Sequence, residues 1–337
     1  MEFNYDDQHI FSEFEDPERK RLIGKIHNIH PELAEVPREL LYPIWFADLK
    51  VLKKLAATGE DANGAFDKLE ASTGTLYNVP LICTANKSGP FMEILKNLKL
   101  QSRRRASFKC ALTGAGILDT KTCYIIPSAL QGKEDDSLEK EGVWGFLENF
   151  WGKEKVLDWK GLLLKNSAMG SRMELYTPFN VIDLDMYVQR LWAMALVALR
   201  PIAVNRDRTE MQIALHWLPL PTELGNIKRS DKVFILQNPY QDIKYRPVEI
   251  RADMMGPFIL LEDGTLVRVS SGHILTVRTD DPDARPLPSF GLLELRWHLS
   301  RIVAFQGAGE DEESRALDVC KYDPESDSDT DRAMTEF

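Results

Sequence analysis

The sequence predicts an α+β fold: a mainly helical N-terminal part, a central region of short strands and helices, then C-terminal strands, a long helix and an acidic tail. Three patterns carry this expectation. Apolar residues over the first ~100 positions recur at helical intervals, the central region switches to short strand-like runs punctuated by glycine, and residues 288–308 read as one continuous apolar stripe. With 337 residues, 44% of them hydrophobic and 28% charged, the chain has an ordinary globular composition and enough length to bury a substantial core.

In the N-terminal part, PRELLYPIWFADLKVLKKLAA (37–57) places Leu40, Leu41, Ile44, Trp45, Leu49, Leu52 and Leu55 on one helical face. Pro43 is expected to delay or kink its start. Asp61 is placed to cap a short helix through Phe66 and Leu69, ending near Gly74. ANKSGPFMEILKNLKLQ (85–101) repeats the pattern with Phe91, Ile94, Leu95 and Leu98.

Centrally, SFKCALTG and TCYIIP read as two strands of a hairpin joined through Gly114, Ala115 and Gly116. VWGFLENFW (143–151) predicts an apolar helix, and NVIDLDMYVQRLWAMA (180–195) a helix, or a loop and then a helix. LVALRPIAV and EMQIALHWLPL follow as strands. In the second, Met211, Ile213, Leu215 and Trp217 alternate inward, which would leave His216 exposed. Between about 248 and 278 the pattern is strand-like again, with an Asp263-Gly264 hairpin turn. The last helix carries Leu292, Leu293, Leu295, Leu299, Ile302 and Val303 on its stripe. The expected regions are 1–100, 101–220, 221–308 and a disordered tail, 309–337.

Charge is unevenly placed. The tail from Gly309 to Phe337 holds 11 acidic and 3 basic residues, a net −8 out of the chain's −10, so the preceding residues are near neutral and nucleic acid is not excluded. The longest apolar candidate for a membrane span, MALVALRPIAV, is too short and contains Arg200 and Pro201. The acidic start does not read as a secretory signal. The expectation is an intracellular protein, cytoplasmic or nuclear, with no membrane partner. Cys83, Cys110, Cys123 and Cys320 form no CxxC pair, so reduced thiols are expected rather than a zinc site.

One ordered set of short motifs stands out: RRRASFKCALTG, CYIIP (123–127), FLENFW, PFN (178–180) and QRLW (189–192), followed later by DP, PLPS and LLELRW. In that order they resemble the fungal HNH-nuclease-domain family. The resemblance implies a ββα-metal core over residues 101–220, a divalent metal (Mg or Mn) and a phosphodiester substrate. The family pattern has histidines where Tyr124 and Gln189 stand; Asn180 alone keeps its letter. The first histidine would be the general base, the asparagine would orient it, and the last histidine would hold the metal. The acidic neighbour that often adds a ligand is here Cys123.

These replacements argue against hydrolysis. Cleaving a phosphodiester takes a base to activate water and a metal to neutralise charge. A tyrosine of ordinary pKa, near 10, would need about 4 kcal/mol of differential stabilisation to be half ionised at neutral pH. A glutamine carbonyl is a poorer ligand than imidazole. Asp183 and Asp185 are candidate replacement metal ligands, the alternative being that they cap the following helix. Arg103, Arg104, Arg105 and Lys109 are candidate nucleic-acid contacts, the alternative being a solvated helix end. Trp144, Trp151, Trp192 and Trp217 are expected in the core. Ser326, Ser328 and Thr330 in the tail, each followed by Asp, resemble acidic-directed phosphorylation sites, and the tail is a candidate protein-binding segment.

The leading expectation is an HNH-like protein, catalytically degenerate, kept as a binding or interaction module. The alternatives are a metal-dependent DNA endonuclease with substituted ligands, or a cleft enzyme using Tyr124 and Cys123 on a non-nucleotide substrate.

Overall fold

The helical period of the N-terminal part folds into short helices separated by capping aspartates. The computed structural model describes residues 12–57, 92–114, 116, 120–126, 143–167, 170–173, 177–218, 231–237, 258–260 and 266–305. Helix α1 (Ser12–Glu15) precedes α2 (Pro17–Ile29), whose first turn is closed by Asp16 accepting from the backbone N–H groups of Glu18 and Arg19. Strand β1 (Glu35–Pro37) leads into α3 (Arg38–Phe46) and α4 (Leu49–Leu55). The single helix expected over 37–57 is therefore two. Pro43 lies inside α3, and the break falls at Ala47–Asp48, where the Asp48 carboxylate caps α4 and its N–H reaches the Phe150 carbonyl at 2.8 Å. The short helix expected after Asp61 lies outside the described residues.

Helix α5 (Met92–Arg105) runs four residues past the expected end. Strand β2 (Thr120–Tyr124) and helix α6 (Val143–Trp151) follow, then α7 (Lys153–Leu163). Gly152, at φ +80°, makes the left-handed turn between α6 and α7. Strands β3 (Leu164–Ser167) and β4 (Gly170–Met173) pair with each other. A 3-10 turn at Pro178–Asn180 opens β5 (Val181–Asp185), which runs straight into α8 (Met186–Ala193).

Two expectations change here. The partner of β2 is β5, antiparallel, and not the 107–114 segment. Ser107 and Phe108 both take positive φ, 51° and 58°, which closes the end of α5 and breaks any strand there; one bridge, Lys109 to Gly116, remains. The segment read as entirely helix or loop from 180 begins as a strand. All four residues from Val181 to Leu184 are buried, so the strand lacks the alternation that would mark it.

The expected strands β6 (Val197–Val204) and β7 (Glu210–Trp217) form with β11 (His273–Arg278) an antiparallel sheet of order β11-β7-β6. Strand β8 (Lys232–Phe234) pairs with β1, and β9 (Phe258–Leu260) with β10 (Leu266–Arg268). The last pair flanks Asp263-Gly264, itself outside the described residues. Helix α9 (Phe290–Phe305) matches the expected long helix. It is covered on nearly every side, by β6, α7 and α3, so Arg296, Trp297, Ser300 and Arg301 are buried along with the predicted leucine stripe. His216 is consequently buried rather than exposed: its ring sits 5.2 Å from that of Trp297, because α9 covers the second face of β7.

The fold is thus mixed helix and antiparallel sheet. One hydrophobic cluster extends from Phe14 to Phe305 and includes Trp151, Trp192 and Trp217, with Trp144 packed against it. Among the described residues no helix is long and apolar enough to cross a membrane. The acidic tail lies outside the described residues.

Candidate functional site

Strands β2 and β5 and helix α8, which pack together, carry or adjoin the three motif positions. Tyr124 stands opposite Val181 at the end of the strand pair, and Asn180 immediately precedes Val181. Asn180 is fully buried. Its Oδ1 accepts from the Ile126 N–H and its Nδ2 donates to the Ile126 carbonyl, both at 2.8 Å; its own carbonyl accepts from the Ile125 N–H at 2.8 Å. The asparagine therefore works as a latch that continues strand-like pairing past Tyr124. At the other end of β5, Asp185 caps α8 by accepting from Tyr187 N–H at 2.8 Å and Val188 N–H at 3.3 Å. Helix α8 packs on β2 and β5 and carries Gln189 in its first turn. Tyr124 and Gln189 are half-buried.

Beneath this unit lies a buried polar network that the sequence did not announce. Asp183 accepts from Thr122 Oγ1 at 2.5 Å and from the Ser102 hydroxyl through its other oxygen. Burial pushes the Asp183 carboxyl above its ordinary value, against the pull of those two hydroxyls and of Arg105. Arg105 is buried as well. It donates to the carbonyls of Pro178 (3.0 Å), Val181 (2.6 Å) and Pro286 (2.7 Å) and to Ser102 Oγ (3.0 Å). Burial brings its pKa down to about 10, with Asp183 opposing.

These contacts sort the sequence candidates. Arg105, read as a nucleic-acid contact, is a clamp inside the fold, because four acceptors from three segments use its donors. Arg104 and Lys109 are exposed and Arg103 is half-buried, so these three remain at the surface. Asp183 and Asp185, read as replacement metal ligands, are both engaged within the fold, one between two hydroxyls and one at a helix cap. With Tyr and Gln at the other positions, the residues present do not make the oxygen-rich donor set that Mg²⁺ or Mn²⁺ takes. Among the described residues, no three His, Cys, Asp or Glu side chains stand together as a metal-holding group.

The two central cysteines are free and buried. Cys110 Sγ accepts from the backbone N–H groups of Leu112 and Thr113, both at 3.3 Å, and of Asp185 at 3.0 Å, which fastens the CALTG turn to the end of β5. Burial pushes the Cys123 thiol far above its ordinary range, which keeps it protonated and a poor nucleophile.

No protein-family model, no curated protein and no solved structure matches the chain. The resemblance to HNH nucleases therefore rests on the motif residues themselves.

Proposed function

We propose that this protein is an HNH-like scaffold that has lost hydrolysis and serves as a nucleic-acid-binding module. The observation that carries the reading is the latch: Asn180 grips both polar groups of Ile126, two residues beyond Tyr124, in a two-strand-plus-helix unit whose helix bears Gln189. That arrangement supports a nuclease-type architecture around the motif, with a phenol and an amide where a base and a metal ligand would act. Arg103, Arg104 and Lys109 supply surface charge for phosphate contacts. Substituted-ligand catalysis draws no support from Asp183 and Asp185, whose carboxylates are engaged elsewhere, and the buried Cys123 thiol does not suit a repurposed cleft enzyme.

The test is nicking of supercoiled plasmid with Mg²⁺ or Mn²⁺, beside a binding assay at graded salt. The expected result is salt-dependent binding, weakened in Arg103→Ala/Arg104→Ala, with no nicking. Metal-dependent nicking that disappears in Gln189→Ala would overturn the degenerate reading. Gain of nicking in Tyr124→His/Gln189→His would support the scaffold assignment.

A further inference from the structure

Two phenyl rings stand out of the surface beside the motif asparagine. Phe179 is 43% exposed and Phe290 is 38% exposed. Their backbones are tied together, since the Ser289 N–H donates to the Phe179 carbonyl at 2.8 Å. Both segments of that tie are held by Arg105, through the carbonyls of Pro178 and Pro286. The rings thus sit on a braced platform rather than on loose loops. Leu162, 46% exposed, lies against Gly291 and extends the apolar surface.

The helix whose last residue braces the platform ends in basic sequence. From Lys96 to Leu118 the chain has six basic residues and no acidic one. Arg104 projects to solvent from the helix end whose next residue, Arg105, reaches under the platform, and Lys109 is exposed just beyond. Asp280, near the Pro286 segment, is already paired with Arg285 at 3.0 and 2.9 Å.

Exposed aromatic rings together with a basic helix end match one ligand chemistry. Bases offer π faces that stack on aromatic rings, and the sugar-phosphate chain offers charge. In a duplex those faces are covered by neighbouring base pairs, so rings of this kind select unpaired nucleotides. Building on the nucleic-acid-binding reading above, we infer that the platform binds single-stranded nucleic acid, with bases stacked on Phe179 and Phe290 and phosphates on Arg104 and Lys109.

The full-length chain would be titrated into a fluorescein-labelled oligothymidylate and into a labelled duplex of equal length, following anisotropy over a range of salt. The single strand is expected to bind more tightly than the duplex. Phe179→Ala and Phe290→Ala should each weaken it roughly 5- to 150-fold, while Phe179→Trp and Phe290→Trp keep it. Arg104→Ala should reduce the slope of log affinity against log salt by about 0.7. Thermal unfolding of each variant, unchanged for these exposed side chains, separates lost binding from lost fold. Equal affinity for duplex, unaltered binding in the Phe→Ala variants, or equally strong competition by polyglutamate would overturn the stacking platform while leaving nucleic-acid binding standing. Binding to neither oligonucleotide would sink both readings.

Discussion

Asn180 pairs with both the N–H and the carbonyl of Ile126 in a site with no access to water. Asn180→Ala should leave two buried polar groups unsatisfied and cost about 2–4 kcal/mol, read as a lower urea midpoint. A second residue-scale prediction concerns Glu13, which takes two hydrogen bonds of 2.8 Å from the buried guanidinium of Arg301. Burial alone would raise its carboxyl, but the charge and hydrogen bonds of Arg301 prevail and hold it at about 2, below the ordinary 4.5. A carboxyl with a depressed folded-state pKa contributes its full stabilisation above its unfolded value and loses it as pH falls. Stability should therefore drop by about 2–3 kcal/mol between pH 4.5 and pH 2 on account of this group. Unfolding curves measured across that window should show the drop shrinking in Glu13→Gln, which would itself be less stable at neutral pH because a buried cation loses its partner. Asp183 acts with the opposite sign: burial raises its pKa, so its ionisation subtracts stability as pH climbs above 3.8.

Among the elements, Phe14 of α1 is enclosed by the rings of Trp45, Phe46 and Phe305, with centroids 5.2–5.9 Å away. Phe14→Ala should cost about 3–5 kcal/mol, and calorimetry would show it as a lower transition temperature. Gly152→Ala should cost about 1–2 kcal/mol because of its left-handed φ. Elements with a clear apolar period were legible in the sequence: α6, α9, β6 and β7 appear where the periodicity put them. Burial of a second face was not. β5 has no alternation to read, and His216 alternates correctly yet is covered by α9. Helix α7 had a usable signal in the spacing of Val156, Trp159 and Leu163. Within the site, the sequence singled out Asn180, Tyr124 and Gln189 by their places in the motif. It could not show that Arg105 points inward while Arg104 points outward, since that depends on how α5 is rotated against β5. Nor did it mark Ser102, Thr122 or Phe290, or give a role to Phe179 within the PFN string, since their importance comes from neighbours remote in sequence.

For the molecule as a whole, a single core from Phe14 to Phe305 predicts one cooperative unfolding transition. Tryptophan fluorescence and far-ultraviolet circular dichroism should give superimposable urea curves, and two separated midpoints would show that the regions unfold independently. The clamp of Arg105 on Pro286 spans 181 positions of sequence. During synthesis the motif strands leave the ribosome long before that carbonyl exists, so the nascent pair of β2 and β5 waits with a charged side chain lacking one of its acceptors. A polypeptide ending ahead of Pro286 would carry Tyr124, Asn180 and Gln189 yet leave a buried guanidinium short of one acceptor, so the remote C-terminal segment takes part in setting the centre of the fold.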